Sequence, residues 1–315
     1  MPPCAPPPGI YVPTLCFFKP GPRQELDLPA FAAHLLRLAN AGVAGIVLHH
    51  AIGEPTHLSR TERAQLLSHA HTALADHAAH DLPLIVGTGA QSTWETIDLC
   101  EEAGALGGQF CLVECPLLGP GEAPMGDAEL EGFYFDVADH SPLPLVLSPR
   151  PPAEFSLPLL QRLAQHPNIV GLLTSSPSLC STLSAQFPAK AFTPLCTRAD
   201  ELLPALVSGA QGGVLPLGNV CPEKLLRVWD GWKMHELEEA RRAQRPLARA
   251  GVIEGAGVRG VRTALQVVHG YGGRCRLPLL ELAEREREAV ARACDALEQK
   301  EKGKGKPLTN GFGPH

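Results

Sequence analysis

Eight short apolar segments alternate along the chain with eight segments whose apolar residues recur at helical spacing, and this alternation constrains the fold most strongly. The apolar segments are rich in Leu and β-branched residues without polar alternation, which is typical of parallel strands covered by helices. Eight consecutive βα units close most simply into one barrel. The sequence therefore predicts an α/β fold, a (β/α)8 TIM barrel. The predicted strands lie near residues 10–17, 43–49, 83–87, 109–114, 143–148, 168–173, 190–195 and 212–217, and the helices near 28–41, 59–78, 92–106, 127–139, 156–165, 177–187, 199–208 and 222–248.

Two further helical segments follow the eighth unit, near 255–270 and 278–299, and they predict a C-terminal helical extension. We expect a barrel over residues 1–248, helices packed on it over 249–299, and a disordered Gly- and Lys-rich tail over 300–315. Ser59 and Glu62 form a capping-box pattern that marks a helix start.

Composition excludes several classes of protein. A net charge of −6 argues against a nucleic-acid partner, which needs a basic surface. The chain has no apolar run of about 18 residues, so we expect no membrane span. The N-terminus lacks the charged and apolar regions of a secretory signal, and the ten cysteines form no CxxC pair, which together favour free thiols in a cytoplasmic protein.

Neither a metal nor a nucleotide cofactor is expected. The histidines of segment 69–80 are not spaced to point at one ion along a helix. The segment Gly87-Thr88-Gly89 is too short for a phosphate-binding loop and lacks its lysine.

Five motifs, in order along the chain, resemble the dihydrodipicolinate synthase / N-acetylneuraminate lyase family, and together they cover about residues 9–290. They are Gly42–Val47 with Gly53-Glu54 and Leu58–Arg63, Val86–Gly89 with Ser92-Thr93, Gly209–Val214, Gly218–Pro222, and Arg274–Leu279. The resemblance implies a TIM barrel, lyase or aldolase chemistry at the C-terminal ends of the strands, no cofactor, and assembly into homo-oligomers, dimers or tetramers.

The resemblance also shows where this chain departs from the family. The family's lysine, which forms a Schiff base with pyruvate, aligns with Leu173, and its catalytic tyrosine aligns with Ser148. Two relay hydroxyls align with Ala51 and Ile52, and the tyrosine shared across the dimer aligns with the segment Pro116-Leu117-Leu118. A leucine cannot form an imine, so the resemblance implies a family member without the amine that defines the chemistry.

Polar residues at the predicted strand ends are candidates for a different chemistry, because TIM-barrel sites lie at the C-terminal ends of the strands. The candidate acid–base groups are His49, His50, Glu114 and Ser148. The candidate substrate-binding residues are Thr14, Thr88, Leu118, Arg150, Leu173 and Thr174. Each has an alternative interpretation as a packing, capping or surface residue. Glu54 is expected to be structural, as a helix cap.

Three functions stay open at this point. The first is a lyase-, isomerase- or cyclase-type enzyme acting on a less polar small molecule by acid–base or electrostatic catalysis. The second is a catalytically silent relative that binds a ligand or assembles with a partner. The third is an aldolase with a relocated lysine, for which Lys19, after the first strand, is the candidate.

Overall fold

Eight parallel strands form a closed barrel surrounded by helices. The computed structural model describes residues 4–77, 81–116, 125–149 and 155–298. The strands are Gly9–Pro13 (β1), Gly45–Leu48 (β2), Leu84–Gly87 (β3), Phe110–Glu114 (β4), Leu145–Ser148 (β5), Ile169–Thr174 (β6), Thr193–Cys196 (β7) and Gly212–Val214 (β8). Each strand pairs in parallel with the next, and β8 pairs with β1 to close the barrel. The predicted (β/α)8 TIM barrel is confirmed.

The helices cover the outer face of the barrel and continue beyond it. They are Leu28–Ala41 (α1), Arg60–Asp76 (α2), Thr93–Ala105 (α3), Asp127–His140 (α4), Leu157–Leu163 (α5), Pro177–Gln186 (α6), Leu202–Val207 (α7), Pro222–Lys233 (α8), Leu237–Arg249 (α9), Gly251–Gly255 (α10), Gly257–His269 (α11) and Glu284–Glu298 (α12). The helix predicted over 222–248 is two helices, α8 and α9. Residues 234–236 separate them, with His235 in the left-handed backbone region at φ 63°.

Local sequence explains where several helices begin. Ser59 accepts a hydrogen bond from the Glu62 backbone N–H, and the Glu62 side chain accepts one from the Ser59 N–H, so the predicted capping box is present. Ser92 accepts a bond from the Glu95 N–H at the start of α3 in the same way. These caps fix the turns that connect strand ends to helices.

The barrel interior is a separate apolar core inside the larger core between sheet and helices. Its members are Ala5, Tyr11, Val47, Ile85, Phe110, Leu112, Val146, Val170, Leu173, Leu195 and Val214. Tyr11 is fully buried there and donates its hydroxyl to the Pro7 carbonyl at 2.6 Å. Gly45 makes room for the ring, because a Cβ at this position would lie 2.5 Å from Tyr11 Cε1.

An irregularity in β6 decides which of its residues enter this interior. Leu145 pairs with Ile169, but the next residue, Val146, pairs with Gly171, so Val170 is an extra residue in β6. The register then continues with Leu173 opposite Leu195 of β7. Both Val170 and Leu173 therefore face the interior, which strict alternation along one strand does not allow.

The C-terminal helices are attached to the loops that follow β7 and β8. The Glu254 carboxylate of α10 accepts bonds from the Ala199 N–H and the Leu217 N–H. Gln244 of α9 accepts from the Leu203 N–H and donates to the Ala199 carbonyl. Among the described residues, no helix is long and apolar enough to cross a membrane. The predicted tail, 300–315, lies outside the described residues.

Candidate active site at the barrel mouth

Leu173 lies in the hydrocarbon interior of the barrel, near the C-terminal end of β6. Its side chain is 2% exposed and belongs to the interior cluster with Val146, Leu195 and Val214. This is the position that aligns with the family's imine-forming lysine. The group at this point is therefore an alkyl side chain within an apolar core.

No lysine among the described residues replaces that amine inside the barrel. Lys19, Lys190 and Lys233 are exposed, and Lys224 is half-buried on α8. Lys19 follows β1, and its backbone N–H donates to the Glu25 carbonyl in a surface loop. The remaining four lysines, at positions 300, 302, 304 and 306, lie outside the described residues.

Glu114 and Ser148 are adjacent at the ends of β4 and β5. They are Cα partners in the parallel register, two residues after the paired and inward-facing Leu112 and Val146. Because side chains two residues apart share a face of a strand, Glu114 and Ser148 face the inside of the mouth. Ser148 is buried, Glu114 is partly exposed, and the backbone of Gly89 packs so closely that a Cβ there would lie 2.6 Å from the Glu114 nitrogen.

His49 lies on the other side of the sheet, in the helix layer. Its backbone is left-handed, at φ 56°. The ring lines a cavity of about 20 Å³ between β3, α2 and α3, together with Arg63, Thr88 and Leu99. Burial, reinforced by the Arg63 guanidinium, lowers the pKa of His49 to about 3, so the ring is neutral at pH 7.

Two buried nitrogen atoms beside this small cavity lack a hydrogen-bond partner in the described part of the chain. His49 Nε2 and Arg63 Nε are buried with no hydrogen-bond partner among the described residues. The volume is sufficient for one water molecule, which bonds to such groups in protein interiors. The cavity is therefore too small for a substrate.

The remaining predicted residues divide between the mouth and the outer layer. His50 is half-buried, its Nδ1 has no described partner, and burial lowers the pKa of its ring to about 4.

Thr88 Oγ1 accepts a bond from Cys100 Sγ of α3 at 3.3 Å, so it faces the helices. Thr174 Oγ1 accepts from the Ser176 N–H, and Thr14 Oγ1 donates to the Leu15 carbonyl. Leu118 and Arg150 lie outside the described residues, and their roles stay predictions.

Thr174 also belongs to the outer layer. Its partner in the register is Cys196, whose side chain lies in the core between sheet and helices. The structure thus brings Glu114, Ser148 and Leu173 to the inner face of the mouth. It places His49, Thr88 and Thr174 outside the barrel interior.

An ion-pair network behind the mouth was not predicted from sequence, although three of its four residues, Glu54, Glu62 and Arg276, lie in the family motifs. Arg262 donates through Nη2 and Nε to Glu54 Oε1, at 2.7 and 3.1 Å. Glu54 Oε2 accepts from the Arg276 N–H at 3.0 Å. The Arg276 guanidinium donates to both carboxylate oxygens of Glu62, whose pKa is thereby lowered to about 2. Glu54 is therefore structural, as expected, but as the acceptor of a buried arginine instead of a helix cap.

The network joins two of the family motifs, Gly53-Glu54 and Arg274–Leu279. Glu54 follows the turn Ala51–Gly53 at the mouth, and Arg276 opens the segment before α12. Their contact attaches the C-terminal extension to the rim of the barrel. No group of three or more His, Cys, Asp or Glu side chains in the described ranges is arranged to hold a metal ion.

Comparison with known proteins decides the family. The model of the dihydrodipicolinate synthetase family matches residues 10–297. The chain belongs to the dihydrodipicolinate synthetase family. Its relatives include two proteins named L-threo-3-deoxy-hexylosonate aldolase. The one from Aspergillus niger is 33% identical, with 92% of this chain and 95% of the relative covered, and the one from Hypocrea jecorina is 34% identical, with 90% and 93% covered.

Solved structures of the same family share the fold. A dihydrodipicolinate synthase family protein of Coccidioides immitis superposes with a TM-score of 0.82 at 26% identity, covering 95% of this chain and 100% of that one. DapA-2 of Bacillus anthracis, a dihydrodipicolinate synthase, gives a TM-score of 0.83 at 22% identity, with 93% and 99% covered. The family barrel is thus present over nearly the whole chain.

Proposed function

We propose that this family member does not form an imine with pyruvate and instead binds a less polar small molecule at the barrel mouth. The single observation that carries this proposal is Leu173, 2% exposed within the apolar interior at the lysine position. The Aspergillus niger relative is named as an aldolase of a 3-deoxy-hexylosonate. The Emericella nidulans relative is named "Probable 4-hydroxy-2-oxoglutarate aldolase, mitochondrial", so its named substrate is a hydroxylated oxo acid. Imine chemistry with such oxo acids needs an amine that is neutral and desolvated.

Within this proposal, Glu114 is the acid–base group of a lyase-, isomerase- or cyclase-type reaction. It faces the mouth beside Ser148, which can bind a substrate oxygen through its hydroxyl. Leu173 and the apolar residues around it suit a substrate with an apolar part. His50, neutral at pH 7 because of its lowered pKa, is a candidate hydrogen-bond partner at the rim.

Pyruvate trapping tests the loss of the imine. Treating the wild-type protein with pyruvate and borohydride should leave its intact mass unchanged, since no described lysine enters the barrel. The Leu173→Lys variant should form a reduced adduct at the substituted position, because a desolvated amine has a lowered pKa. Leu173→Met serves as the packing control, with thermal unfolding measured for both variants. An adduct on the wild-type protein, mapped by peptide mass spectrometry to Lys19 or a tail lysine, would support the relocated-lysine alternative and reject the proposal.

The catalytic role of Glu114 has its own test. A thermal-shift screen of small molecules, followed by turnover assays on the hits, identifies a convertible ligand. Glu114→Gln should then lower kcat by about a hundredfold with little change in ligand affinity, as expected for loss of a general acid or base. The matched control is Glu131→Gln on α4, where the carboxylate pairs with Arg162 at the surface. Equal kcat for Glu114→Gln and wild type would show that Glu114 is not the acid–base group.

A catalytically silent relative is the second candidate, and one observation favours it. His49, Thr88 and Thr174 face the helix layer, so the mouth has fewer polar groups than the sequence predicts. Binding without conversion across a wide panel of ligands would support this alternative.

Assembly and location belong to the same proposal. We expect a homo-oligomer, a dimer or tetramer, to be tested by analytical ultracentrifugation. We also keep cytoplasmic location as a proposal, to be tested by cell fractionation, since the name of the Emericella nidulans relative includes "mitochondrial".

A further inference from the structure

A cleft separate from the barrel mouth lies between α11 and α12. Its volume is about 540 Å³, within the range of small-molecule sites in proteins. One wall is α11, the other is the first two turns of α12, and the segment Gly273–Cys275 forms its edge. Val267, Leu282 and Ala291 contribute apolar surface, so the cleft combines an apolar lining with a polar row along α11.

In the part of the chain that the structure describes, all but one of the charged side chains that line the cleft form an ion pair with an oppositely charged side chain. Each lining carboxylate has an arginine partner: Glu281 with Arg274 at 2.8 Å, Glu284 with Arg287 at 3.8 Å, and Glu288 with Arg292 at 3.6 Å. Arg262, at the inner end, is saturated by Glu54 and two backbone carbonyls. Within the described ranges, Arg259 is the lining cation without an ion pair or hydrogen bond, and its side chain is half-buried.

Two further polar side chains without a described partner continue from Arg259 along the same face of α11. Thr263 is one turn away and Gln266 nearly two turns away, at spacings of four and seven residues that share one face of a helix. At 1.5 Å rise per residue, Thr263 lies about 6 Å and Gln266 about 10 Å from Arg259 along the helix axis. The row thus presents a guanidinium, then a hydroxyl, then an amide at the outer rim.

We propose that this cleft is a second small-molecule site, which binds a monocarboxylate with an aliphatic body and a second polar group, a hydroxyl or carbonyl, near its other end. Arg259 binds the carboxylate through charge-assisted hydrogen bonds. Thr263 and Gln266 bind the second polar group, and Val267, Leu282 and Ala291 contact the methylene chain.

Calorimetric titration of the full chain with 6-hydroxyhexanoate tests the proposal, and 1,6-hexanediol is the matched probe without a carboxylate. We expect the hydroxy acid to bind at millimolar concentration or below and the diol at least tenfold more weakly. Arg259→Gln should weaken binding of the hydroxy acid about tenfold, and Thr263→Val a few-fold. Arg245→Gln, which removes an exposed arginine of α9, should have no effect. Thermal unfolding of each variant verifies folding.

The proposal would be overturned by no binding heat with the hydroxy acid, by equal affinity for the diol, or by unchanged affinity in Arg259→Gln. The Leu173→Lys variant separates this site from the barrel mouth. Its affinity for 6-hydroxyhexanoate should equal that of wild type, because Leu173 lies inside the barrel and the cleft lies between α11 and α12. A changed affinity in that variant would place the probe at the mouth and reject the cleft.

Discussion

Arg262→Met should lower the free energy of unfolding by about 3–5 kcal/mol, the usual cost of leaving a buried charge without its partner. The Arg262 and Glu54 side chains are 3% and 1% exposed, and their closest contact is 2.7 Å. Arg262 also donates to the Gly272 and Cys16 carbonyls, which lose these bonds in the variant. Urea denaturation at pH 7.5 measures the difference.

The matched control is Arg274→Met, which removes an arginine of equal charge from an exposed pair with Glu281. Those side chains are 81% and 54% exposed, so the expected change is within about 1 kcal/mol. Adding Glu54→Gln to Arg262→Met should recover part of the lost stability, because the uncompensated carboxylate is then gone. A loss for Arg262→Met as small as that for Arg274→Met would show that the network does not stabilise the fold.

Acidification from pH 7 to pH 5 should destabilise the protein by about 6 kcal/mol through His34, His49 and His50, because the folded pKa of each ring is lowered, that of His50 to about 4. Burial lowers the pKa of His34 to about 3, with Arg37 nearby acting in the same direction, and burial likewise lowers the pKa of His49 to about 3. A histidine with a lowered folded pKa binds a proton more readily when the chain is unfolded. Its stabilising contribution is therefore complete above the ordinary pKa of 6.5 and is lost progressively as the pH falls toward 3. At pH 5 each site accounts for about 2 kcal/mol.

The contacts of His34 show why protonation is unfavourable. Asn219 donates through Nδ2 to the Pro13 and Pro216 carbonyls, so its Oδ1 accepts from His34 Nε2 at 2.9 Å. Nδ1 of the neutral ring then accepts from the Tyr271 hydroxyl, which itself accepts from Arg37 Nε at 2.7 Å. A proton on Nδ1 would direct two N–H donors at one phenolic oxygen.

The measurement is the free energy of unfolding by urea at half-unit intervals between pH 7.5 and 5, above the range where most carboxylates titrate. His34→Gln removes one of the three sites and should reduce the slope by about one third, whatever its effect at pH 7.5. A stability that is constant over this interval in the wild type, or that rises on acidification, contradicts the assignment.

Much of the fold could be predicted from sequence because it depends on short-range patterns. Apolar runs such as 109–114 and the serine–glutamate cap at Ser59 and Glu62 involve residues a few positions apart. Glu54 was expected to cap a helix, whereas its carboxylate accepts hydrogen bonds from Arg262. The functional assignments depended on which face of a strand each side chain occupies, and there the sequence was less informative.

His49 illustrates the limit. It follows β2 and was predicted to be a catalytic candidate at the mouth, but its left-handed backbone places the ring against α2 and α3. Arg262 illustrates a second limit, since its partner Glu54 lies 208 residues away and no local pattern links them. These contacts form only when the barrel closes and the C-terminal helices pack on it.

The sequence by itself determined the eight βα units, the family, and the hydrocarbon nature of residue 173, because periodicity and side-chain identity are properties of the chain alone. Only the tertiary structure decided that Leu173 points into the barrel. Strict alternation from Val170 would turn Leu173 toward the helices, but the register with β5 shifts between Ile169 and Gly171, so both Val170 and Leu173 face the interior. That shift arises from register with β5 and β7, so pairing between strands, rather than the pattern within one strand, set the chemistry of the interior.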